Sequence, residues 1–169
     1  MSEEIKRERT FSWDNPLTGA AKAIQMTGLE YLHAMKDGSI PFPPLMHTLD
    51  FYVGSIDKDS VTFTFKPQEF HYNPIGTVHG GVITAILDSA MGCTLHSLLP
   101  RGTAYTTLEL KVNFLKAVTI QSGQLKATGK VIHAGNRTAL IEAQLTDDIG
   151  TVYAHSVSTC LIITAKKEG

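Results

Sequence analysis

The apolar run from Val82 to Leu99, interrupted by Asp88 and His96, constrains this chain more than any other stretch. It follows His79-Gly80-Gly81 and stops at Pro100-Arg101-Gly102, the signals of one helix reaching to about Leu99. Apolar residues occur almost all round that helix, and a helix of this kind is buried. The rest of the chain must therefore cover it. The two polar interruptions argue against a membrane span.

The covering elements are mostly strands. On the N-terminal side, Leu17 to Lys36 has helical spacing, in one piece or two, with Gly28 weakening its middle and Gly38 as a stop. Pro41, Pro43 and Pro44 predict an extended connector. Thr48 to Ile56 is β-prone. After an Asp-Lys-Asp-Ser turn, Val61, Phe63 and Phe65 alternate with polar residues, the period of a strand with one buried face. Pro67 to Val78 reads as a loop. Beyond the apolar helix, Leu108, Leu110, Val112 and Phe114 alternate with Thr107, Glu109, Lys111 and Asn113. Three more strands follow: Gly123 to His133, a run through Ala139 and Leu145, and Val152 to Thr164. Strands in runs with short turns favour an antiparallel sheet over a βαβ repeat. The fold class is α+β, a long central helix wrapped by a curved antiparallel sheet.

The 169 residues are 43% hydrophobic and 18% charged, enough for one continuous core. A formal net charge of −1 lacks the basic footprint of a nucleic-acid binder. Cys93 and Cys160 have no metal spacing and read as buried, reduced thiols, which places the chain in the cytoplasm. Met1 to Thr10 is charged, with Ser2 to Arg9 reading as frayed, and has no secretory apolar core. His33, His47, His96 and His155 show no ligand spacing. His71, Phe70, Tyr72 and Met91 are pocket-lining candidates, though such residues are more often core.

Asp88 is the sharpest chemical feature. A carboxylate among Ile86, Leu87, Ala90 and Met91 loses hydration, which is costly and marks a candidate site. It also fits a narrow polar stripe with Thr84 and Gly92, facing water or another subunit. The helix alone leaves both readings open. Gly80 and Gly81 let a ligand approach the backbone, where unpaired N–H groups at a helix start can hold an oxyanion. A glycine turn shaped only for packing would look the same. Eight residues separate Gly80 from Asp88, roughly 12 Å along the axis at ~1.5 Å per residue. One chain cannot easily bring both to one carbonyl, whereas two antiparallel helices of a homodimer can.

Asn73-Pro74-Ile75-Gly76-Thr77-Val78-His79-Gly80-Gly81, followed by Asp88, resembles the signature of PaaI-like hotdog thioesterases. The likeness spans roughly Pro44 to Thr164 and includes Leu108-Glu109-Leu110, Asn113-Phe114 and the Gly-Asn-Arg turn at Gly135 to Arg137. It implies a hotdog domain over 44–169 behind an N-terminal extension over 1–43 with helical segments. The implied reaction hydrolyses an acyl-CoA or aryl-CoA thioester to a carboxylic acid and free coenzyme A. No cofactor or metal is implied, and the implied assembly is a homodimer, built further into a homotetramer.

The resemblance also implies roles. Asp88 acts as general base on water or as nucleophile, and its short side chain favours the base. The Gly80 N–H binds the thioester oxygen, with Gly81 beside it. Asn73 orients the thioester or the water, and His79 is an orienting residue. Thr107 orients water, or Thr106 if the alignment slips by one. Many relatives carry a hydroxyl one turn after the carboxylate, where this chain has Gly92. His133, Gly135, Asn136 and Arg137 lie where relatives hold the nucleotide and phosphates of coenzyme A, a role that suits the arginine fork. Alternatives are an acyl-CoA-binding domain without catalysis and, ranked lower, a hotdog dehydratase.

Overall fold

A computed structural model describes residues 6–164. The chain forms α1 (Pro16–Ala23), α2 (Gly28–Lys36), α3 (Pro44–Leu49), β1 (Phe51–Asp57), β2 (Ser60–Phe65), α4 (Gly80–His96), β3 (Thr103–Phe114), β4 (Leu125–Ala134), β5 (Thr138–Thr146) and β6 (Val152–Thr164). The strands build one antiparallel sheet in the order β1-β2-β4-β5-β6-β3. This is the expected long helix wrapped by a curved antiparallel sheet. None of the helices among the described residues is long and apolar enough to cross a membrane.

The core lies between α4 and the concave sheet face. Ile86, Leu87, Ala90, Met91 and Leu95 are fully buried against Phe63, Leu125, Ile141 and Leu145. Met91 belongs to this core. Burial is not uniform round the helix, contrary to the expectation from its composition. Thr84, Ala85, Asp88, Ser89 and Cys93 form a half-buried stripe. The helix also ends at His96, three residues earlier than expected, with Ser97 as its cap.

The N-terminal helical stretch is two helices, and Gly28 is the first residue of the second rather than a weak point in one. Thr27 and Glu30 form a reciprocal capping box there. A Cβ on Gly28 would stand 1.6 Å from the carbonyl oxygen of His96, and Gly28 N–H donates to Leu99 O at 2.9 Å. Glycine is required where α2 touches the end of α4. Asp37 caps α2 and Gly38 follows with φ +85°, the expected stop.

The proline segment departs from expectation. Residues 41–43 are extended, but Pro44 opens a helix at a position where its missing N–H costs nothing. Thr48 and Leu49 are helical, so β1 begins at Phe51. Asp50 ends α3 with φ 54°, the left-handed conformation that turns the chain into β1. Of the charged N-terminal stretch, Ser2 to Ile5 lies outside the described residues. Arg9 is held, donating to His47 O and Thr48 O at 2.6 Å and stacking 3.9 Å over Phe70.

A bulge corrects the reading of β3. Its pairing with β6 shifts between Thr107 and Glu109. Beyond an extra residue the faces exchange, so Thr107 shares a face with Leu110 and Val112 while Leu108 is exposed. The Ser158 hydroxyl donates to Glu109 O at 2.9 Å and anchors the strand just after the bulge.

The Gly28→Ala variant is expected to lose about 3 kcal/mol or more in urea unfolding, because backbone on both sides resists the added methyl group. Wild-type stability would contradict the close contact.

Candidate functional site

The loop before α4 is pinned by His71. Its Nδ1 accepts from Gln68 N–H at 2.9 Å, so its Nε2 donates to Leu49 O at 2.9 Å. The ring is therefore neutral, and burial holds its pKa below the ordinary value. His79 N–H donates to His71 O at 2.8 Å, and Val78 N–H to Val118 O at 2.8 Å. These bonds fix where α4 begins.

Asn73 closes the turn ahead of the glycines. Its Oδ1 accepts from Ile75 N–H at 3.1 Å and Thr77 N–H at 3.2 Å, and its Nδ2 donates to Thr77 Oγ1 at 3.0 Å. His79 caps α4 by accepting from Gly81 N–H on Nδ1 at 2.9 Å. Val82 and Ile83 N–H both reach His79 O, at 2.9 and 3.4 Å. Gly81, expected to bind substrate, thus has its N–H engaged. Among the described residues no acceptor lies on Gly80 N–H. Gly80 lines a cavity of about 320 Å³ with Asn73, Thr77, Phe114 and Lys116.

Asp88 opens elsewhere. Its Oδ1 accepts from Thr107 Oγ1 at 3.0 Å, a contact the bulge makes possible by turning Thr107 towards α4. The neighbouring Thr106 is exposed. Asp88 and Thr107 line a second cavity, of about 210 Å³, with Ser89, Cys93, Tyr105 and Met35. Burial pushes the Cys93 thiol up to about 12, with the Asp88 charge adding to it, so this cysteine is no thiolate nucleophile near neutrality. Burial also raises Tyr105 well above the ordinary range, with smaller contributions from Cys93 and Asp88.

Tyr105 explains Gly92. A Cβ at that position would meet the phenol oxygen at 2.4 Å and the ring at 2.9 Å. The phenol occupies the space beside α4 one turn beyond Asp88. Nothing in the sequence alone marks this residue; its signal, a glycine facing a large aromatic, is visible only once α4 and β3 are aligned. Nothing in its sequence context marks Lys116 beside Gly80 either.

The turn bearing Gly135, Asn136 and Arg137 joins β4 to β5. His133, Asn136 and Arg137 are exposed, and Gly135 N–H donates to Thr138 O at 2.9 Å. Thr107, Cys160 and Ala139 are paired across the sheet, so this turn lies just beyond the Thr107 end. Gly80 instead faces Phe114, whose ring would be 3.1 Å from a Cβ there. Seven residues of β3 separate Thr107 from Phe114, about 20 Å at ~3.3 Å per residue. Asp88, Thr107 and the Arg137 turn share one half of the protomer, and the free Gly80 amide sits in the other.

A sequence model of the thioesterase superfamily matches residues 75–154, a span holding both Gly80 and Asp88. Over that span the chain is similar to the thioesterase superfamily. Its fold is the hotdog fold of PaaI-like thioesterases. A 1,4-dihydroxy-2-naphthoyl-CoA hydrolase from Listeria monocytogenes is 26% identical over 123 residues, 73% of this chain and 97% of that protein. A phenylacetic acid degradation-related protein from Ralstonia eutropha superposes with a TM-score of 0.70 at 26% identity, covering 78% of this chain and 98% of that one. The PaaI protein of E. coli shares the fold, with a TM-score of 0.69 at 21% identity over 86% and 96% of the two chains.

Two buried histidines set the response to acid. His71 and His96 both have pKa values lowered mainly by burial, and among the described residues His96 Nδ1 has no hydrogen-bond partner. The unfolded chain takes up these protons first, so stability is lost as pH falls through and below about 6.5. The melting temperature is expected to decrease between about pH 7.5 and 5.5, less steeply in a His96→Leu variant. A flat profile would contradict neutral burial.

Proposed function

We propose that this protein is a hydrolase that cleaves an acyl-CoA thioester, using Asp88 of one chain and the Gly80 N–H of a second copy. The observation that carries the reading is the Asp88 carboxylate, held by the Thr107 hydroxyl and open to a cavity with apolar walls. Asp88 takes a proton from water while the water oxygen bonds to the thioester carbon. The carbonyl electrons move onto oxygen, which accepts from Gly80 N–H at the positive end of α4. Collapse of the tetrahedral intermediate breaks the carbon–sulfur bond. The coenzyme A thiolate leaves and recovers the proton from Asp88. Thr107 fixes the carboxylate, leaving its other oxygen to face water.

The need for a second copy is supported by the separate cavities of Gly80 and Asp88 and by the edge of β3. Among the described residues that strand pairs with β6 alone, so its other edge is unpaired along twelve residues, and Leu108 and Phe114 beside it are 58% and 54% exposed. A long apolar edge of this kind invites another copy. Antiparallel approach of two α4 helices along their half-buried stripes would set each Gly80 towards the partner's Asp88. Arg137, with His133, Gly135 and Asn136 beside it, is proposed to hold the coenzyme A phosphates at the exposed turn. Asn73 and His79 act indirectly, by shaping the start of α4.

Asp88→Asn keeps an acceptor for Thr107 and removes the base. It is expected to fold normally and to lower kcat by about 10²- to 10⁴-fold in a free-thiol assay with acyl-CoA substrates. Undiminished turnover would refute the assignment. Arg137→Ala is expected to raise KM by about tenfold with kcat little changed, the result of a lost phosphate contact.

A further inference from the structure

The cavity at Asp88 does not end there. A second cavity of about 280 Å³ adjoins it and shares Met35, Pro43, Cys93 and Tyr105. It continues along α4 to His96, between Ala23 and Tyr31 on one side and Ala104 on the other. The outer wall comes from α2, α3 and the proline connector at the first space and from α1, α2 and Pro43 at the second. Asp88 and His96 are eight residues apart on one helix, roughly 12 Å.

We propose that this path holds the acyl group, so that the N-terminal extension selects elongated, apolar acyl chains and sets their maximum length. The inference rests on the thioesterase reading above and adds the substrate class. An extended chain of about ten carbons covers that distance, since each C–C bond of ~1.5 Å advances it by a little less than its length. The walls suit hydrocarbon. Met35 and Leu32 are buried apolar side chains, and burial disfavours the charged forms of the thiol, phenol and imidazole along the path. A compact acyl group would fill the first space and leave the second empty. Gly92 belongs to the same design, because it lets the Tyr105 phenol approach α4 closely where the two cavities join.

The test is thiol release from saturated acyl-CoAs of increasing length. In the wild type kcat/KM is expected to rise about fourfold per added methylene, levelling near ten carbons. Ala104→Phe and Ala23→Phe block the second cavity from opposite walls, at an exposed and a half-buried position. Each is expected to leave the shortest substrates unchanged and to lower kcat/KM for the longest by at least tenfold. Two results would overturn the proposal: wild-type rates that do not grow with length, or variants that slow all lengths equally. Both leave the thioesterase reading intact. Failure of the wild type to release thiol from any acyl-CoA would refute that reading itself.

Discussion

Helix α4 presents more apolar surface than one protomer's sheet can cover. Six strands enclose its inner face, where Ile86, Leu87, Ala90 and Met91 lose all contact with water. The opposite stripe needs other cover. The N-terminal extension supplies it at the C-terminal end, where Gly28 allows α2 to rest on the carbonyl of His96. Beside Asp88 that cover stands off from the helix, leaving a cavity walled by Met35, Pro43, Leu45 and Met46, so the incomplete packing of the helix and the accessibility of its carboxylate have the same cause.

The same constraint divides the chemistry. A helix start offers donors at one end, and a carboxylate two turns later stands too far away to share a small carbonyl. His79 consumes the Gly81 amide and its carbonyl receives Val82 and Ile83, which isolates Gly80 as the available donor. On the other half, the bulge in β3 brings the Thr107 hydroxyl to Asp88. Side-chain bonds to backbone hold both halves in place: His71 behind the glycine loop, Ser158 beside the bulge. On the proposed reading each chain then carries two half-sites facing different ways.

Much of this was legible in the residues. A long apolar run with glycines before it and Pro-Arg-Gly after it reads as one helix, and the period-2 strands read as a sheet to wrap it. Asp88 stood out because a carboxylate is expensive in such company. Three features were hidden. Prolines before Leu45 suggested extended chain, yet Pro44 at a first helical position starts α3, and strand propensity through Thr48 could not show it. The β3 bulge leaves no trace in an alternating pattern, so the choice between Thr106 and Thr107 needed the register with β6. The engaged amide of Gly81 depends on one histidine rotamer. Packing and register decide such features, while composition and periodicity report only which face is apolar.

The central claim is that one working site draws on two chains. Gly80 is the first residue of α4, where proline is tolerated, so Gly80→Pro removes the donor N–H and keeps the helix start. A differently tagged Asp88→Asn chain lacks only the base. Heterodimers purified through both tags contain one site with both groups intact and one with neither. Thiol release from these heterodimers should recover to about half the wild-type rate while each parent homodimer stays inactive. Heterodimers as inactive as their parents would contradict the shared site.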